Sequence, residues 1–491
     1  MSVRVGDAAA APDFQKAAKR LIANTQLRHN VRRATDVIRA KRAKVVAEVP
    51  EWEQLREAGH RIKEHTLRHL AAYLEQFENA CVRAGGQVHW ARDADEANRI
   101  IVDVVQTAYR NRAGSISDQM EVIKVKTMTS DEIGLNRALE AAGIVPHETD
   151  LADLVVQLGE DRPSHIVVPA LHRNRAEIRR IFMEKMKLDE LGERPEDLAE
   201  AARKYLREKF LRVRVAVSGA NYAIAETGSV CVVESEGNGR MCLSLPEVLI
   251  SLVGIEKVIP RLEDLEVFLQ LLPRSATGER MNPYNSLWTG ITPGDGPREF
   301  HVVLLDNGRT NVLRDAASRE TLDCIRCGAC LNVCPVYRQT GGHAYGSVYA
   351  GPIGAILTPQ LQSMEHSTSL PYASSLCGAC YEVCPVKIDI PEILIHLRSK
   401  VVEQGGAPLA ERLAMKAASF AFAGKGRMEA AQKLTRIGQW PFAHGGKIRS
   451  LPGMLAGWTA VRDLQTAPKE SFRQWWARRE QNHDLQRGAS S

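Results

Sequence analysis

The sequence lacks the features that would identify a membrane, exported or nucleotide-binding protein. No apolar run approaches the roughly 18 residues that a membrane helix needs; the stretch AMKAASFAFAGK is interrupted by Lys416 and Lys425. The N-terminus has no compact apolar segment with a cleavage site, which disfavours export. Neither a strand–G-x-G-x-x-G–helix unit nor a G-x4-G-K-[ST] loop is present. We therefore expect a cytoplasmic chain without a transmembrane segment.

Aromatic residues are also scarce, at 5%, whereas hydrophobic residues at 44% and charged residues at 25% are close to the averages for packed domains. A length of 491 residues predicts roughly two to four domains. The net charge of +6 is mild for this length, and nucleic-acid-binding domains usually concentrate their positive charge on a smaller surface. Composition thus predicts no nucleic-acid partner.

Cysteine is the informative residue type. Ten cysteines in a chain without an export signal indicate a reducing compartment, where thiols bind metal or pack in cores. Seven of them lie in two segments, CIRCGACLNVCPVY and SSLCGACYEVCPVK, which share C-G-A-C and V-C-P-V in register and form an internal repeat. Ser374 of the second segment falls opposite Cys324 of the first. The other three, Cys81, Cys231 and Cys242, have no metal-ligand spacing and are predicted to be buried core thiols.

The first segment has the spacing C-x2-C-x2-C-x3-C-P, which is typical of bacterial ferredoxins: three close cysteines bind one iron–sulfur cluster and the fourth binds the other cluster of a pair. The repeat therefore predicts two clusters, each of which takes one ligand from the other segment. The predicted ligands are Cys324, Cys327, Cys330 and Cys384 for cluster 1, and Cys334, Cys377 and Cys380 for cluster 2, with Ser374 at an open corner.

Both clusters are predicted to be of the [4Fe-4S] type, but the corner at Ser374 leaves several possibilities open. It could be occupied by the serine oxygen, a water or hydroxide, or an exogenous ligand, or it could lack iron altogether, as in a [3Fe-4S] cluster. Zinc is the alternative metal. Because zinc takes four ligands per ion, seven cysteines with two C-P endings fit two zinc sites poorly, so a zinc-containing nucleic-acid binder is a remote alternative.

Helical and strand-like segments alternate from about residue 66, which predicts an α/β domain with a largely parallel sheet. Its strands are expected at QVHWA, EVIKVKTM, VPHETD and HIVVPAL and within LRVRVAVSGANYAIAETGSVCVVESEGN. Helices are expected after the cysteine region, followed by a frayed end, EQNHDLQRGASS. The predicted regions are an N-terminal helical segment (1–65), the α/β domain (66–305), a two-cluster domain (306–400) and a helical C-terminal region (401–491).

Several stretches, taken with the two cysteine segments, resemble the lactate-utilisation protein B family, the iron–sulfur component of a bacterial three-protein system that oxidises L-lactate to pyruvate. They are SDEIGLNRALEAAGI, PSHIVVPALH, GANYAIAETGSV, EGNGRMCLSLPEVLISLVGIEKVIP, GGHAYGSVYAGPIGAILTP and APKESFRQWW. The resemblance implies a sheet of the sugar-phosphate isomerase and CoA-transferase type and a second cluster that is held by three cysteines. The long insert between the two segments is similar to that of helical ferredoxin modules. The implied partners are other lactate-utilisation proteins and an electron acceptor of unknown identity.

The implied role is electron transfer, and the alternative is that this chain is the catalytic subunit that binds the hydroxy acid. That role would need a base and a cation for the carboxylate. The candidate bases, His165 and His172, flank the apolar stretch IVVPAL. Candidates for an anion site near strand ends are Lys124, Lys126, Glu226, Thr227, Glu236, Asn238 and Arg240, although the glycines of EGNGR also suit a hairpin turn. His343 and Tyr345, in the insert, could line a cluster or simply pack.

Overall fold

The computed structural model describes residues 13–110, 119–405 and 409–488. It divides into two compact units, one ending at Glu403 and one beginning at Gln404. The strands of the first unit are β1 Gln87–Ala91, β2 Glu121–Lys124, β3 Val145–Glu148, β4 Val215–Gly219, β5 Tyr222–Ile224, β6 Ser229–Glu234, β7 Val248–Gly254, β8 Val258–Ile259, β9 Tyr284–Trp288 and β10 Glu299–Leu305. Its helices are α1 Phe14–Ile22, α2 Thr25–Ala47, α3 Trp52–Arg68, α4 Leu70–Arg83, α5 Ala94–Arg110, α6 Met128–Glu132, α7 Leu135–Ala141, α8 Leu151–Leu158, α9 Arg175–Lys185, α10 Pro195–Arg212, α11 Asn238–Ser244, α12 Leu265–Ala276, α13 Arg309–Arg314, α14 Ala329–Val333, α15 Tyr337–Thr340, α16 Gly351–Leu361, α17 Ala379–Val383 and α18 Ile390–Glu403.

Six strands form a parallel sheet in the order β1-β10-β7-β4-β2-β3. Every residue of the central strand β7 is buried, as expected for a parallel strand with helices on both faces. One face packs on Ile101 of α5 and Leu135 of α7, and the other on a larger core that includes Phe77 of α4 and Leu206 of α10. A smaller mixed sheet has the order β8-β5-β6-β9. The predicted α/β class with a largely parallel sheet is confirmed.

The predicted strand at HIVVPAL is wrong. This segment belongs to an irregular loop, in which the Ser164 backbone N–H donates to the Pro169 carbonyl at 2.9 Å. Pro163, two residues before this segment, and Pro169, within it, lack the backbone donors that a strand would need. Ile166 and Leu171 instead pack in the core that contains the cysteine segments. The hairpin turn considered for EGNGR is also wrong, because Gly237, with a φ of 86°, caps the start of helix α11.

The N-terminal helices share one core with the cysteine region. Phe14 of α1 and Leu27 and Val31 of α2 pack in the same cluster of apolar side chains as Cys327 and Cys384. The sequence thus folds the start of the chain against the repeat. The predicted domain boundaries stay a prediction.

The second unit contains the helices α19 Leu409–Phe422, α20 Lys425–Gly438, α21 Ala456–Thr459 and α22 Phe472–Gly488, and the short antiparallel strands β11 Ala443–His444, β12 Lys447–Ile448 and β13 Leu464–Gln465. The helical character predicted for this region is confirmed. The frayed end predicted for EQNHDLQRGASS is not confirmed, because helix α22 continues to Gly488. Residues 489–491 of this stretch lie outside the described residues. Among the described residues, none of the helices combines the length and the apolar character that a membrane crossing requires.

Candidate metal centre

The two cysteine segments adopt the same backbone conformation. Arg326 and Leu376, which occupy equivalent positions of the repeat, have φ angles of 62° and 54°, and the glycines two residues later, Gly328 and Gly378, have 73° and 82°. A left-handed conformation costs a non-glycine residue about 1–2 kcal/mol, and it is kept in both copies. Each glycine then starts a short helix, α14 or α17. The repeat in the amino-acid sequence is therefore also a repeat of backbone conformation.

Ser374 occupies the structural position of a cysteine. In the first segment the Arg326 backbone N–H donates to Cys324 Sγ at 3.4 Å. In the second, the Leu376 backbone N–H donates to Ser374 Oγ at 3.1 Å. The same hydrogen bond is thus made by a sulfur in one copy and an oxygen in the other. The loop at Ser374 has the shape that its counterpart uses to present a thiol.

The thiol of Cys384, from the second segment, joins the first segment. The cysteines that line one small cavity are Cys324, Cys327, Cys330 and Cys384, together with apolar side chains such as Ile353 and Ile388. Two arginines of the N-terminal helices fix this arrangement by binding carbonyl groups at the end of α17. Arg56 donates to the Cys384 carbonyl at 2.9 Å, and Arg42 donates to the Val383 carbonyl at 3.1 Å. These carbonyls would otherwise be unpaired at the helix end.

The remaining three thiols form a second group. Burial, with a smaller contribution from the nearby Cys334 and Cys377 thiols, raises the pKa of Cys380 to about 12. Burial likewise raises the pKa of Cys334, and Cys377 is again a neighbour. All ten cysteines are free of disulfides. Buried thiols at such pKa values become thiolates when a cation replaces their protons, which is the condition for metal binding.

Two buried tyrosine hydroxyls beside the thiols indicate that a bound ligand would supply hydrogen-bond acceptors. Neither the Tyr222 nor the Tyr345 hydroxyl has a partner with hydrogen-bond geometry among the described residues. Burial raises the pKa of Tyr222, and Cys327 and Cys324 are close enough to contribute; the Tyr345 hydroxyl lies beside the Cys334 thiol. An unpaired buried hydroxyl costs about 1–3 kcal/mol. Cluster sulfides and thiolates would accept these two hydrogen bonds, so the residues present fit iron–sulfur clusters.

The two groups of thiols differ in their exposure. Cys327, Cys330 and Cys384 are buried and Cys324 is half-buried, whereas Cys377 is exposed. The side chains of Tyr372 and Tyr381, near Cys377 in the chain, are 42% and 40% exposed. The first group lies in the interior and the second reaches the surface.

Basic side chains, two of them paired with buried glutamates, lie beside the first group. Arg326, next to Cys327 in sequence, donates to Glu256 at 3.0 Å, and Arg309 is bound to both Glu256 and Glu132. Burial lowers the pKa of Lys257 to about 7, and Cys324 lies close enough to counteract this effect. A cluster with four thiolate ligands is anionic, so nearby cations favour its reduced form.

The candidate base His165 is a structural residue. Its Nδ1 accepts the backbone N–H groups of Val167 and Val168 at 3.0 and 3.1 Å, which leaves Nε2–H to donate to Asn332 Oδ1 at 3.2 Å. Burial lowers the pKa of His165 to about 4. The neutral ring thus joins the loop of the α/β domain to helix α14 and is not available as a base.

The second candidate, His172, also has structural partners, namely Asp161 at 2.9 Å and the Ser164 hydroxyl at 2.7 Å. Ser164 is 1% exposed, so this Ser-His-Asp arrangement has no access for a substrate. His343 packs on His172 with ring centroids 4.7 Å apart and bonds the Arg162 carbonyl. Of the two insert residues, His343 therefore packs, whereas Tyr345 lies at the second group of thiols.

The candidates for an anion site come together only in part. Lys126 lies near Glu236, and Asn238 donates to Thr149, which bonds the Lys124 carbonyl, whereas Glu226 and Thr227 have no contact with this group among the described residues. Lys124 is buried and donates to Glu148 and Asn136, both at 2.6 Å, and Lys126 donates to the Val167 carbonyl at 2.7 Å. Asp131 and Asp153 lie close to these lysines, and burial raises the pKa of Asp131 to about 7 and the pKa of Asp153 well above its usual value. The remaining candidates have other partners or positions: Glu236 accepts from Leu151 N–H, Asn238 donates to Thr149, the Arg240 backbone N–H donates to Glu234, Thr227 bonds Ser229, and Glu226 accepts from Leu262 N–H.

Sequence reasoning missed Tyr222, Arg42 and Arg56. Tyr222 lies on β5, about a hundred residues before the first cysteine segment, and the arginines lie on α2 and α3 among many other basic residues. None of the three has a spacing that relates it to the repeat. Only the folded chain shows that they contact it.

Comparison with known proteins finds relatives along nearly the whole chain. Family profiles match the LUD domain at residues 74–305, a 4Fe-4S dicluster domain at 320–388, and the C-terminal domain of lactate utilisation protein B at 396–481. The Lactate utilization protein B of Bacillus licheniformis is 42% identical over 94% of this chain and 96% of its own, and that of Bacillus subtilis is 41% identical over 98% of both chains. A crystal structure of a duf162 family protein from Deinococcus radiodurans covers 48% of this chain and 98% of its own with 13% identity and a TM-score of 0.25, too low to support an inference.

Proposed function

The chain belongs to the lactate utilisation protein B family, and from this premise we propose that it is the electron-transfer component of a multi-protein system that oxidises L-lactate to pyruvate. Oxidation of lactate to pyruvate releases two electrons and two protons. Two clusters in one chain provide two one-electron acceptors, which matches this requirement. Its partners in the proposal are other lactate-utilisation proteins and an electron acceptor.

The observation that supports this proposal most strongly is the exchange of thiols between the two segments. Cluster 1 is assigned to Cys324, Cys327, Cys330 and Cys384, the four thiols around one cavity. Cluster 2 is assigned to Cys334, Cys377 and Cys380, with Ser374 at the fourth corner. When bound, each cluster supplies one-electron redox chemistry. Since α14 and α17 are in contact, the two clusters would be close neighbours.

The protein's own residues would tune the two clusters differently. At cluster 1, burial excludes water and the cations around Glu256 offset the charge of the reduced state. At cluster 2, the Tyr345 hydroxyl is available to donate to a sulfur, while the exposed Cys377 brings the cluster to the surface. We assign cluster 2 as the point at which electrons enter or leave the chain, because a redox partner can approach it directly.

The proposal includes the organisation of the chain and its location. The profile matches at 74–305, 320–388 and 396–481 support a division into an N-terminal segment, an α/β domain, a two-cluster domain and a C-terminal region near the boundaries given above. Ten cysteines without a disulfide support a reducing compartment such as the cytoplasm.

The test is electron paramagnetic resonance of the anaerobically purified full chain, together with counts of iron and acid-labile sulfide. Two cluster signals are expected, and both should become reduced when L-lactate is added together with the other lactate-utilisation proteins. D-lactate serves as the control substrate. Clusters that assemble completely but accept no electrons from L-lactate in the presence of those proteins would contradict the proposed role.

A further inference from the structure

The net charge of the chain is unevenly distributed. Residues 404–491, which form the second unit, contain 14 lysines and arginines but only 6 aspartates and glutamates. The rest of the chain contains 51 basic and 53 acidic residues. The whole positive excess of the protein therefore belongs to its second unit, which the overall value of +6 conceals.

The second unit also lacks a core of its own. Among its described residues, Ile448 is the only buried apolar side chain, and neither α19 nor α20 buries a single residue. Its exposed large apolar side chains are Leu409, Leu413, Met415, Phe420, Phe422, Leu434, Ile437, Trp440, Leu455, Trp458, Val461, Phe472, Trp475 and Trp476. So many exposed large apolar side chains in one small unit indicate an interaction site.

Three aromatic rings of α22 form a cluster that could bind a partner. Phe472, Trp475 and Trp476 are spaced i, i+3 and i+4, so they share one helix face, and their ring centroids lie 5.6 to 6.1 Å apart. Arg479 stacks over both tryptophan rings. Tryptophan and arginine are the residue types that contribute most to binding at protein interfaces.

We propose that the second unit, residues 404–491, is a docking segment that binds an acidic surface of a partner protein in the lactate-utilisation system. The excess of basic residues favours a partner with an acidic surface. The exposed apolar side chains indicate that the partner would bury a large apolar area on binding. The identity of the partner rests on the proposed function; the chemistry of the surface does not.

The distribution of the apolar side chains favours a protein over a lipid surface. At about 100° per residue, Leu409, Leu413 and Phe420 share one side of α19, whereas Met415 and Phe422 lie nearly opposite. A helix at a membrane interface buries a single face and keeps the other in water. A protein partner can cover both sides by wrapping around the helix, which is the arrangement that these residues require.

The test measures association of the anaerobically purified, cluster-loaded full chain with each of the other two proteins of the system by sedimentation velocity. The variant Leu434→Ala/Ile437→Ala removes two side chains that are 68% and 72% exposed, and the control Leu211→Ala/Met281→Ala removes two in the first unit that are 66% and 68% exposed. We expect the first variant to bind at least about tenfold more weakly than the wild type, because truncation of an interface anchor costs more than 1 kcal/mol. The control variant should bind like the wild type. Binding of the wild type should weaken at high salt.

Hydrogen exchange supplies a second readout. Amides of α19, α20 and α22 should exchange more slowly in the complex than in the chain alone. The proposal is overturned if both variants bind like the wild type, if the helices are equally protected in the chain alone, if the same substitutions abolish self-association instead, or if the chain binds anionic phosphatidylglycerol vesicles but neither protein. None of these measurements uses lactate, so a failure here is distinguishable from a failure of electron transfer, which cluster reduction reports.

Discussion

The two cysteine segments share a backbone but differ in their surroundings. The first is enclosed by the α/β domain and the N-terminal helices: a Cβ atom placed on Gly328 would lie 3.3 Å from both His165 and Val167. A Cβ atom placed on the equivalent residue, Gly378, would meet no atom within 4 Å apart from its neighbours in the chain. One copy of the repeat is therefore an interior site and the other a surface site.

The chemical difference follows the structural one. The buried copy has a complete set of thiols and nearby cations, and the exposed copy has a serine at the position of its fourth thiol, in a loop that is otherwise unchanged. A half-buried corner without a thiolate can exchange its ligand or lose its iron. The comparison teaches that two copies of one backbone conformation provide a protected thiol site in one case and an accessible site in the other.

Removing the exchanged thiol is the most severe test of this comparison. In Cys384→Ala, cluster 1 loses a ligand that comes from the other segment, so about half of the iron should be lost, given four irons per cluster, together with the cluster 1 paramagnetic signal. Iron analysis and paramagnetic resonance measure both. Cys81→Ala, which removes a buried thiol outside the repeat, should retain all the iron. Loss of the cluster 2 signal in Cys384→Ala would show that each segment serves its own cluster.

Restoring the missing thiol should make the two sites alike. Ser374 Oγ in the second segment occupies the position that is equivalent to that of Cys324 Sγ in the first. Ser374→Cys should therefore complete cluster 2 without rearranging the loop. Mild oxidation with ferricyanide should release corner iron from the wild type and much less from the variant. Ser375→Cys, which places a thiol on the exposed neighbour, is the matched control. Equal iron loss in all three proteins would argue against an open corner at Ser374.

A smaller effect is expected from Tyr345→Phe. If the hydroxyl donates to a sulfur of cluster 2, its loss removes stabilisation of the reduced cluster and lowers its reduction potential. A hydrogen bond to a charged group is worth about 1.5 kcal/mol, which corresponds to roughly 60 mV for one electron. A redox titration followed by paramagnetic resonance measures the shift. Tyr337→Phe is the control, because the Tyr337 hydroxyl donates to the Ser164 carbonyl at 2.6 Å instead.

The alternation of helices and strands was sufficient to predict the parallel sheet, because the period of apolar residues and the caps of the helices are local signals. HIVVPAL shows the limit of such signals. Its composition is that of a strand, but the apolar residues Ile166 and Leu171 are buried against the cysteine region. A pattern of apolar residues indicates burial and does not identify the surface that provides it.

The predicted ligand assignment has the same basis and the same limit. Spacing along the chain relates the seven cysteines to one another and to Ser374, since the repeat is in the sequence itself. It does not reveal that Arg42 and Arg56 bind the carbonyls that follow helix α17, or that Tyr222 reaches the first group of thiols from β5. The two arginine contacts join residues that are 341 and 328 positions apart, and the Tyr222 contact also joins distant parts of the chain. No local pattern encodes such contacts.

The smallest predicted effect compares the two glycines directly. Gly328→Ala and Gly378→Ala both place a side chain at a positive φ, which costs each variant about 1 kcal/mol. Only the Cβ atom at Gly328 meets His165 and Val167, at 3.3 Å, so this variant should lose about 1 kcal/mol more, the cost of modest overpacking. Guanidinium unfolding under anaerobic conditions, followed by loss of the visible cluster absorbance, compares the two midpoints. Equal shifts would mean that the loop yields to the added methyl group, and the first segment would then be no more rigidly enclosed than the second.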